Sequence, residues 1–142
     1  MFALRLLPRL AVRARQAPRR SFTTSRLLLS EKITYEKMVA LPPATRIVDV
    51  REPAEFEAGA IPRAVNIPLM SSPEAFILSE EEFEDRFGFE KPPKDQDVVF
   101  YCKAGVRSAA AAEIAEGQGY TKVMEYPGSW NEWEKKQKEG SQ

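Results

Sequence analysis

Short runs of β-branched and aromatic residues alternate along this chain with segments of helical composition. Strands are predicted at residues 46–50, 64–67, 97–101 and 122–126. Helices are predicted at residues 34–41, 54–58, 108–118, from Ser79 onward and after residues 127–128. Strands that alternate with helices predict an α/β fold with a parallel sheet and helices on both faces. In such sheets, sites form at the carboxyl ends of the strands.

Capping patterns mark the predicted start of three helices. Thr34 precedes the first helix, and Ser79 with Glu82 has the spacing of a capping box. Ser129 with Glu132 has the same spacing before the last helix. The apolar run at residues 97–101 is typical of a strand that is buried on both faces.

Cys102 is the only cysteine, and it follows directly on the predicted strand at residues 97–101. The loop after it contains the cations Lys103 and Arg107 and leads into the Ala-rich helix that is predicted from Ser108. Unpaired N–H groups at a helix N-terminus favour negative charge and lower the pKa of a cysteine. A free cysteine is more often a small buried hydrophobe, but this loop favours a reactive thiolate.

The composition removes several kinds of chemistry. The chain has 142 residues, enough for one ordinary domain, and a single cysteine cannot form an intramolecular disulfide. It contains no histidine, so it lacks the usual general base and the usual zinc ligand. We therefore predict neither a cofactor nor a metal.

The formal net charge is zero, but the charges are segregated along the chain. Residues 1–29 contain seven arginines, no lysine and no acidic residue, which is typical of a mitochondrial transit peptide. Residues 20–30 also resemble a two-step mitochondrial processing site, so we expect a transit peptide at 1–29, a folded domain at 30–142 and location in the mitochondrial matrix. The alternative is a basic arm that binds nucleic acid or lipid headgroups.

From residue 30 onward, fourteen basic residues face twenty-one acidic ones, a net charge of minus seven. This acidity argues against nucleic-acid binding by the folded domain. Arginines interrupt each apolar run of the N-terminal segment, so we predict neither a secretory signal nor a membrane span.

Three segments resemble the rhodanese (thiosulfate sulfurtransferase) family. Residues 49–68 resemble its first signature, residues 102–107 its active-site loop and residues 126–133 its closing signature. The chain is similar to the single-domain mitochondrial members, which implies a three-layer α/β/α fold with a mostly parallel, five-stranded sheet. The family usually carries His and Gly where this chain has Ala60 and Arg63, and we expect this change to alter packing and hydrogen bonds at that turn.

The resemblance implies a sulfurtransferase in which Cys102 takes a sulfane sulfur from thiosulfate, or from a related donor such as glutathione persulfide. The sulfur is held as a persulfide on Cys102 and passes to a thiol, such as glutathione, or to cyanide. Both partners are small molecules, no membrane or nucleic acid is involved, and the protein is expected to be a monomer. Backbone N–H groups of the loop would hold the negative sulfur, and Lys103 and Arg107 would attract the donor, although Arg107 could instead pin the loop. The predicted substrate-binding residues are Lys103, Ala104, Gly105, Val106, Arg107 and Ser108.

Asp49 and Arg51 follow a neighbouring predicted strand and would also lie near the pocket. A salt bridge that ties the fold together is the favoured interpretation of this pair, and a direct contact with substrate is the alternative.

Two other functions remain open from the sequence. Cysteine-dependent phosphatases and arsenate reductases share this fold, but the phosphatases place five residues between Cys and Arg, whereas four separate Cys102 from Arg107. A persulfide carrier without turnover, or a binding module, is the other alternative.

Overall fold

Five parallel strands form one sheet in the computed structural model, which describes residues 30–141. The sheet order is β1-β5-β4-β2-β3, and each neighbouring pair is parallel. The predicted transit peptide at 1–29 lies outside the described residues. The strands are β1 (Glu31–Lys32), β2 (Arg46–Asp49), β3 (Val65–Asn66), β4 (Val98–Tyr101) and β5 (Val123–Glu125).

Helices cover both faces of the sheet, which confirms the predicted three-layer α/β fold. The core on one face includes Phe83 and Ala111, and the core on the other includes Met38 and the partly buried Trp133. No helix within residues 30–141 is both long and apolar enough to span a bilayer. The helices are α1 (Tyr35–Val39), α2 (Pro53–Ala58), α3 (Glu80–Phe87), α4 (Val106–Gly117) and α5 (Ser129–Gly140).

Strand β4 lies at the centre of the sheet, and all four of its residues are buried. It pairs with β2 from Arg46↔Val98 to Asp49↔Tyr101. The burial predicted from its continuous apolar run is therefore confirmed. Because β4 and β2 end side by side, the residues that follow them meet at one edge of the sheet.

Two of the three predicted caps are confirmed. The Thr34 side chain accepts a hydrogen bond from the backbone N–H of Lys37, and Ser79 and Glu82 form a reciprocal capping box. The third prediction, for Ser129 and Glu132, is wrong.

The spacing at α5 serves the buried Tyr126 instead of a capping box. The Ser129 hydroxyl donates to the Tyr126 carbonyl oxygen at 2.9 Å, and the Tyr126 hydroxyl donates to Glu132 Oε1 at 2.7 Å. Ser129 is itself fully buried and has a φ of +55°. A buried phenol needs an acceptor, so it takes the carboxylate that would otherwise cap the helix.

Arg63, which stands where the family that the sequence resembles usually carries Gly, adopts a left-handed backbone with a φ of +71°. Glycine reaches this region without steric cost, whereas a residue with a Cβ does not. The Arg63 guanidinium donates to the carbonyl oxygen of Pro43 at 3.2 Å, a contact that glycine could not make. The predicted change in hydrogen bonding at this turn is thus seen as the contact of Arg63 with Pro43.

A buried polar network joins the ends of β2 and β4. The carboxylate of Asp49, fully buried, accepts hydrogen bonds from the Arg51 guanidinium and from the Tyr101 hydroxyl, the latter at 2.7 Å. The Tyr101 hydroxyl also accepts from the backbone N–H of Ile61 at 3.1 Å. Burial, together with the negative charge of Asp49, raises the pKa of Tyr101, so the phenol stays protonated and donates to Asp49.

We predict that Tyr101→Phe destabilises the fold by about 1–3 kcal/mol, because it leaves the N–H of Ile61 and one bond of Asp49 without a partner. The matched control is Tyr35→Phe, whose hydroxyl accepts only an exposed hydrogen bond from Gln137. Urea denaturation measures both losses, and equal losses would contradict the structural role assigned to the Tyr101 hydroxyl.

Candidate active site

The Cys102 loop, residues 102–108, leaves the carboxyl end of β4 and enters α4. Its start is held by the beginning of α5. The backbone N–H of Trp130 donates to the Cys102 carbonyl oxygen at 2.8 Å, and that of Asn131 donates to the Lys103 carbonyl oxygen at 3.1 Å. The N–H of Cys102 donates to Ser129 Oγ at 3.2 Å. Both backbone polar groups of the cysteine are therefore fixed by α5.

Hydrogen-bond donors surround the sulfur of Cys102, a residue that is only 1% exposed. The backbone N–H of Gly105 donates to Sγ at 3.0 Å, and the Ser108 hydroxyl lies 3.5 Å from Sγ. Ser129 Oγ is 3.9 Å from the sulfur, but its proton points to the nearer carbonyl of Tyr126. The closest donors thus come from the loop itself.

The pKa of the Cys102 thiol lies below its ordinary value as the net result of opposing influences. Burial is the largest single influence and raises the pKa, because a charged sulfur loses its hydration. The Ser108 hydroxyl and the backbone N–H groups of Ser108, Gly105 and Ala104 lower it and together outweigh burial. The sulfur is therefore buried and yet inclined to ionise.

Gly105 gives the loop its shape. It has a φ of +99°, and a Cβ at this position would lie 2.8 Å from the Pro127 carbonyl oxygen. The residue precedes α4 as its N-cap, so the helix begins at Val106 and not at Ser108 as predicted from the sequence. The earlier start turns the Ser108 hydroxyl towards the sulfur from within the first turn of the helix.

The two cations of the loop lie in different surroundings. The Lys103 side chain is exposed, and within residues 30–141 no carboxylate oxygen lies within 4 Å of its ammonium. Arg107 instead forms a two-pronged ion pair with Glu55 of α2, with nitrogen–oxygen distances of 2.8 and 3.1 Å. This is the arrangement expected if Arg107 pins the loop.

The other predicted loop residues differ in exposure. Ala104 and Val106 face solvent, Val106 being 79% exposed, whereas Ser108 is fully buried. Ala104 and Val106 thus form an apolar patch on the outer surface of the loop.

Asp49 and Arg51 form a buried ion pair beside the loop. Arg51 also donates to the Gly59 carbonyl oxygen at 2.6 Å and lies under the Trp130 ring, 4.9 Å from its centre. Arg51 thus ties β2 to the turn after α2 and also lines the cleft beside the loop.

A cleft of about 280 Å³ opens beside the Cys102 loop. A larger cavity of about 630 Å³ lies near β3 and contains no residue of the loop. Of the two, the smaller cleft is therefore the one that adjoins the loop, through Lys103, although Cys102 itself does not line it. Within the described part of the chain, no cluster of three or more Cys, Asp or Glu side chains could hold a metal ion. The cleft is lined by Arg51, Glu55, Ala58, Gly59, Lys103, Trp130, Asn131 and Glu134.

Sequence reasoning missed the site contacts of Ser129, Glu55 and Trp130. The sequence predicts Ser129 only as part of a cap, and it places Trp130 only within the closing signature at residues 126–133. Glu55 lies within the signature at residues 49–68, but nothing near it in sequence indicates a partner 52 residues away.

Comparison with known proteins identifies the family. A model of the rhodanese-like domain matches residues 32–136. The chain belongs to the rhodanese-like domain family. The resemblance predicted from the three sequence signatures is therefore confirmed.

Relatives in yeasts extend this assignment. The thiosulfate:glutathione sulfurtransferase of Saccharomyces cerevisiae is 42% identical over 64% of this chain and 66% of that protein. The mitochondrial thiosulfate sulfurtransferase RDL2 of the same yeast is 46% identical over 61% of this chain and 58% of that protein. A Schizosaccharomyces pombe relative, 43% identical over 76% of this chain and 72% of that protein, also has thiosulfate sulfurtransferase and mitochondrial in its name. The matched region thus spans about three fifths to three quarters of these relatives.

The fold agrees with a solved relative. The crystal structure of RDL2, described as a single-domain sulfurtransferase, matches with a TM-score of 0.73 at 39% identity, over 81% of this chain and 94% of that chain. A likeness over four fifths of the chain confirms the rhodanese-like fold.

We predict that Ser108→Ala raises the pKa of the Cys102 thiol. The substitution removes a hydrogen bond that stabilises the charged sulfur, so the effect of burial, which raises the pKa, becomes larger in the balance. Alkylation by iodoacetamide near neutral pH should slow by about tenfold, the usual size of a hydrogen bond to a charged group. The rate is measured as a function of pH. Ser71→Ala, an exposed serine outside the loop, should leave the profile unchanged, and an unchanged profile for Ser108→Ala would contradict this role.

Proposed function

We propose that this protein is a sulfurtransferase that moves a sulfane sulfur from thiosulfate, or from a related donor such as glutathione persulfide, to a thiol or to cyanide through a persulfide on Cys102. The observation that carries the proposal is the buried sulfur of Cys102 with N–H and O–H donors around it. The names of the yeast relatives support the same reaction.

In the first half-reaction, the Cys102 thiolate attacks the outer sulfur of thiosulfate. The sulfur–sulfur bond of the donor breaks, sulfite leaves with the bonding electron pair, and Cys102 becomes a persulfide anion. The reaction consumes no proton, so a chain without histidine can perform it. The N–H groups that hold the thiolate would also hold the negative outer sulfur of the persulfide.

In the second half-reaction, an acceptor thiolate or cyanide attacks the outer sulfur of the persulfide and releases the Cys102 thiolate. Because the chain has no second cysteine, it cannot resolve the persulfide internally as a disulfide, and an external acceptor must complete each cycle. A name among the yeast relatives points to glutathione. The expected kinetics are ping-pong, with the protein as a monomer.

The protein is proposed to act in the mitochondrial matrix. The arginine-rich, acid-free segment at residues 1–29 is the first support. The second is the word mitochondrial in the names of two relatives.

We predict that the intact mass of the purified protein rises by one sulfur atom after incubation with thiosulfate and returns to its starting value when cyanide is added. Cys102→Ala should show no gain, since Cys102 is the acceptor of the sulfur. Mass spectrometry measures both proteins, and circular dichroism checks that the variant is folded. A gain that persists in Cys102→Ala, or no gain in the wild type, would refute the proposal.

Turnover assays separate the remaining alternatives. An enzyme releases thiocyanate from thiosulfate and cyanide over many cycles, whereas a carrier stops after one persulfide per chain. A phosphatase would hydrolyse an aryl phosphate, and this activity would disappear in Cys102→Ser. We expect repeated thiocyanate release and no hydrolysis of the phosphate ester.

A further inference from the structure

We propose that Glu55 determines the donor specificity of this site, because its carboxylate neutralises Arg107 and thereby limits the attraction of doubly charged donors. The proposal rests on the proposed sulfur transfer and adds a residue that the mechanism above does not use.

Two separate contacts hold the Glu55 carboxylate in place. It accepts both hydrogen bonds of the Arg107 fork, and it accepts the backbone N–H of Glu52 at 3.0 Å as part of the capping box of α2. Its own helix therefore fixes its direction. A bidentate pair between Arg and a carboxylate adds a fixed geometry to the attraction, so Arg107 is held where Glu55 points.

Glu55 stays ionised wherever the protein can be assayed. The hydrogen bonds from Arg107, opposed by partial burial, lower the pKa of Glu55 to about 2. The same pair raises the pKa of Arg107, and the charge of Cys102 contributes to that rise. Arg107 belongs to the same loop as Cys102, and the charge of Glu55 offsets the charge of its guanidinium.

The other arginine of the site is also paired with a carboxylate, whereas Lys103 is not, within the described part of the chain. Asp49 neutralises Arg51, so of the two arginines at this edge neither contributes a free positive charge. Lys103 shares the cleft with Glu55, and no carboxylate of residues 30–141 pairs with it. Glu134, which also lines the cleft, forms an ion pair with Lys138 at 3.4 Å. In the count of charges, Lys103 thus adds one positive charge and the Cys102 thiolate adds one negative charge. A dianion therefore meets a site with no excess of positive charge.

Removal of the Glu55 charge should shift this balance in favour of dianions. In Glu55→Gln the amide oxygen can still accept the Glu52 N–H and one bond from Arg107, while the guanidinium regains its net charge. Thiosulfate carries two negative charges and benzenethiosulfonate carries one, and both donate a sulfane sulfur to a thiolate, with sulfite or benzenesulfinate as leaving group. The gain should be larger for thiosulfate.

The test compares kcat/KM for the two donors, with cyanide as acceptor, in the full-length protein at low ionic strength. We expect Glu55→Gln to raise the ratio of thiosulfate to benzenethiosulfonate by about threefold, the size of one charge–charge interaction across several ångströms of water. The gain should appear in KM and shrink at high salt. Glu57→Gln, an exposed glutamate on the same helix, should leave the ratio unchanged.

Two further measurements separate charge from geometry. Glu55→Asp keeps the charge but shortens the side chain, so its donor ratio should stay at the wild-type value. Glu55→Gln should also lower the pH at which iodoacetamide alkylates Cys102, because a nearby negative charge is gone. If the substitution instead loosened the loop, the sulfur would lose hydrogen bonds and the alkylation profile would move to higher pH.

The proposal fails if wild type turns over both donors and Glu55→Gln leaves their ratio unchanged, or if Glu55→Asp shifts the ratio as much as Glu55→Gln does. Failure of the proposed function is a different result, in which the wild type forms no persulfide with either donor. In that case the alkylation profile still tests the charge of Glu55, and a profile that does not move to lower pH in Glu55→Gln overturns the proposal.

Discussion

A buried sulfur that must carry negative charge is the constraint on which the rest of this site depends. Burial disfavours the thiolate more than any other influence, so the chain has to bring several donors to one atom. This requirement accounts for the left-handed backbone of Gly105, the close approach of Pro127 and the hydroxyl of Ser108 in the first turn of α4. The dipole of α4 alone would supply only part of the stabilisation of the thiolate. The loop adds hydrogen bonds that point at the sulfur.

The fold supports this loop from three sides. Strand β4 delivers Cys102 to the edge of the sheet, and the start of α5 fixes both backbone polar groups of that residue. On the third side, Arg51 and Arg107 form ion pairs with carboxylates and hold α2 and the turn after it against the loop. Buried or partly buried ion pairs are weak sources of stability. Here the two ion pairs position α2 against the Cys102 loop and offset the charges of both arginines. Lys103 is then the loop cation that has no carboxylate partner among residues 30–141.

Elements with a local cause could be predicted from the sequence, and long-range contacts could not. The continuous apolar run of β4 and the placement of Cys102 after it follow from residue order alone. Strand β1 consists of two charged residues, and its pairing with β5 depends on the folded sheet. The sequence pattern therefore does not predict this strand. The Ser–Glu spacing at residues 129 and 132 is that of a capping box, but both side chains hydrogen-bond to Tyr126 in the folded structure. The contact of Glu55 with Arg107 likewise exists only after α2 and α4 have packed.

The ionisation of Cys102 tests this account most directly. Because the chain has one cysteine, the ultraviolet absorbance of the thiolate during a pH titration reports on this sulfur, with Cys102→Ser as the blank. The titration midpoint of the folded protein should lie below that of the same chain unfolded in urea, since the loop stabilises the charged form. A folded midpoint at or above the unfolded one would show that burial outweighs the hydrogen bonds of the loop. This result would contradict the claim that the loop stabilises a reactive thiolate.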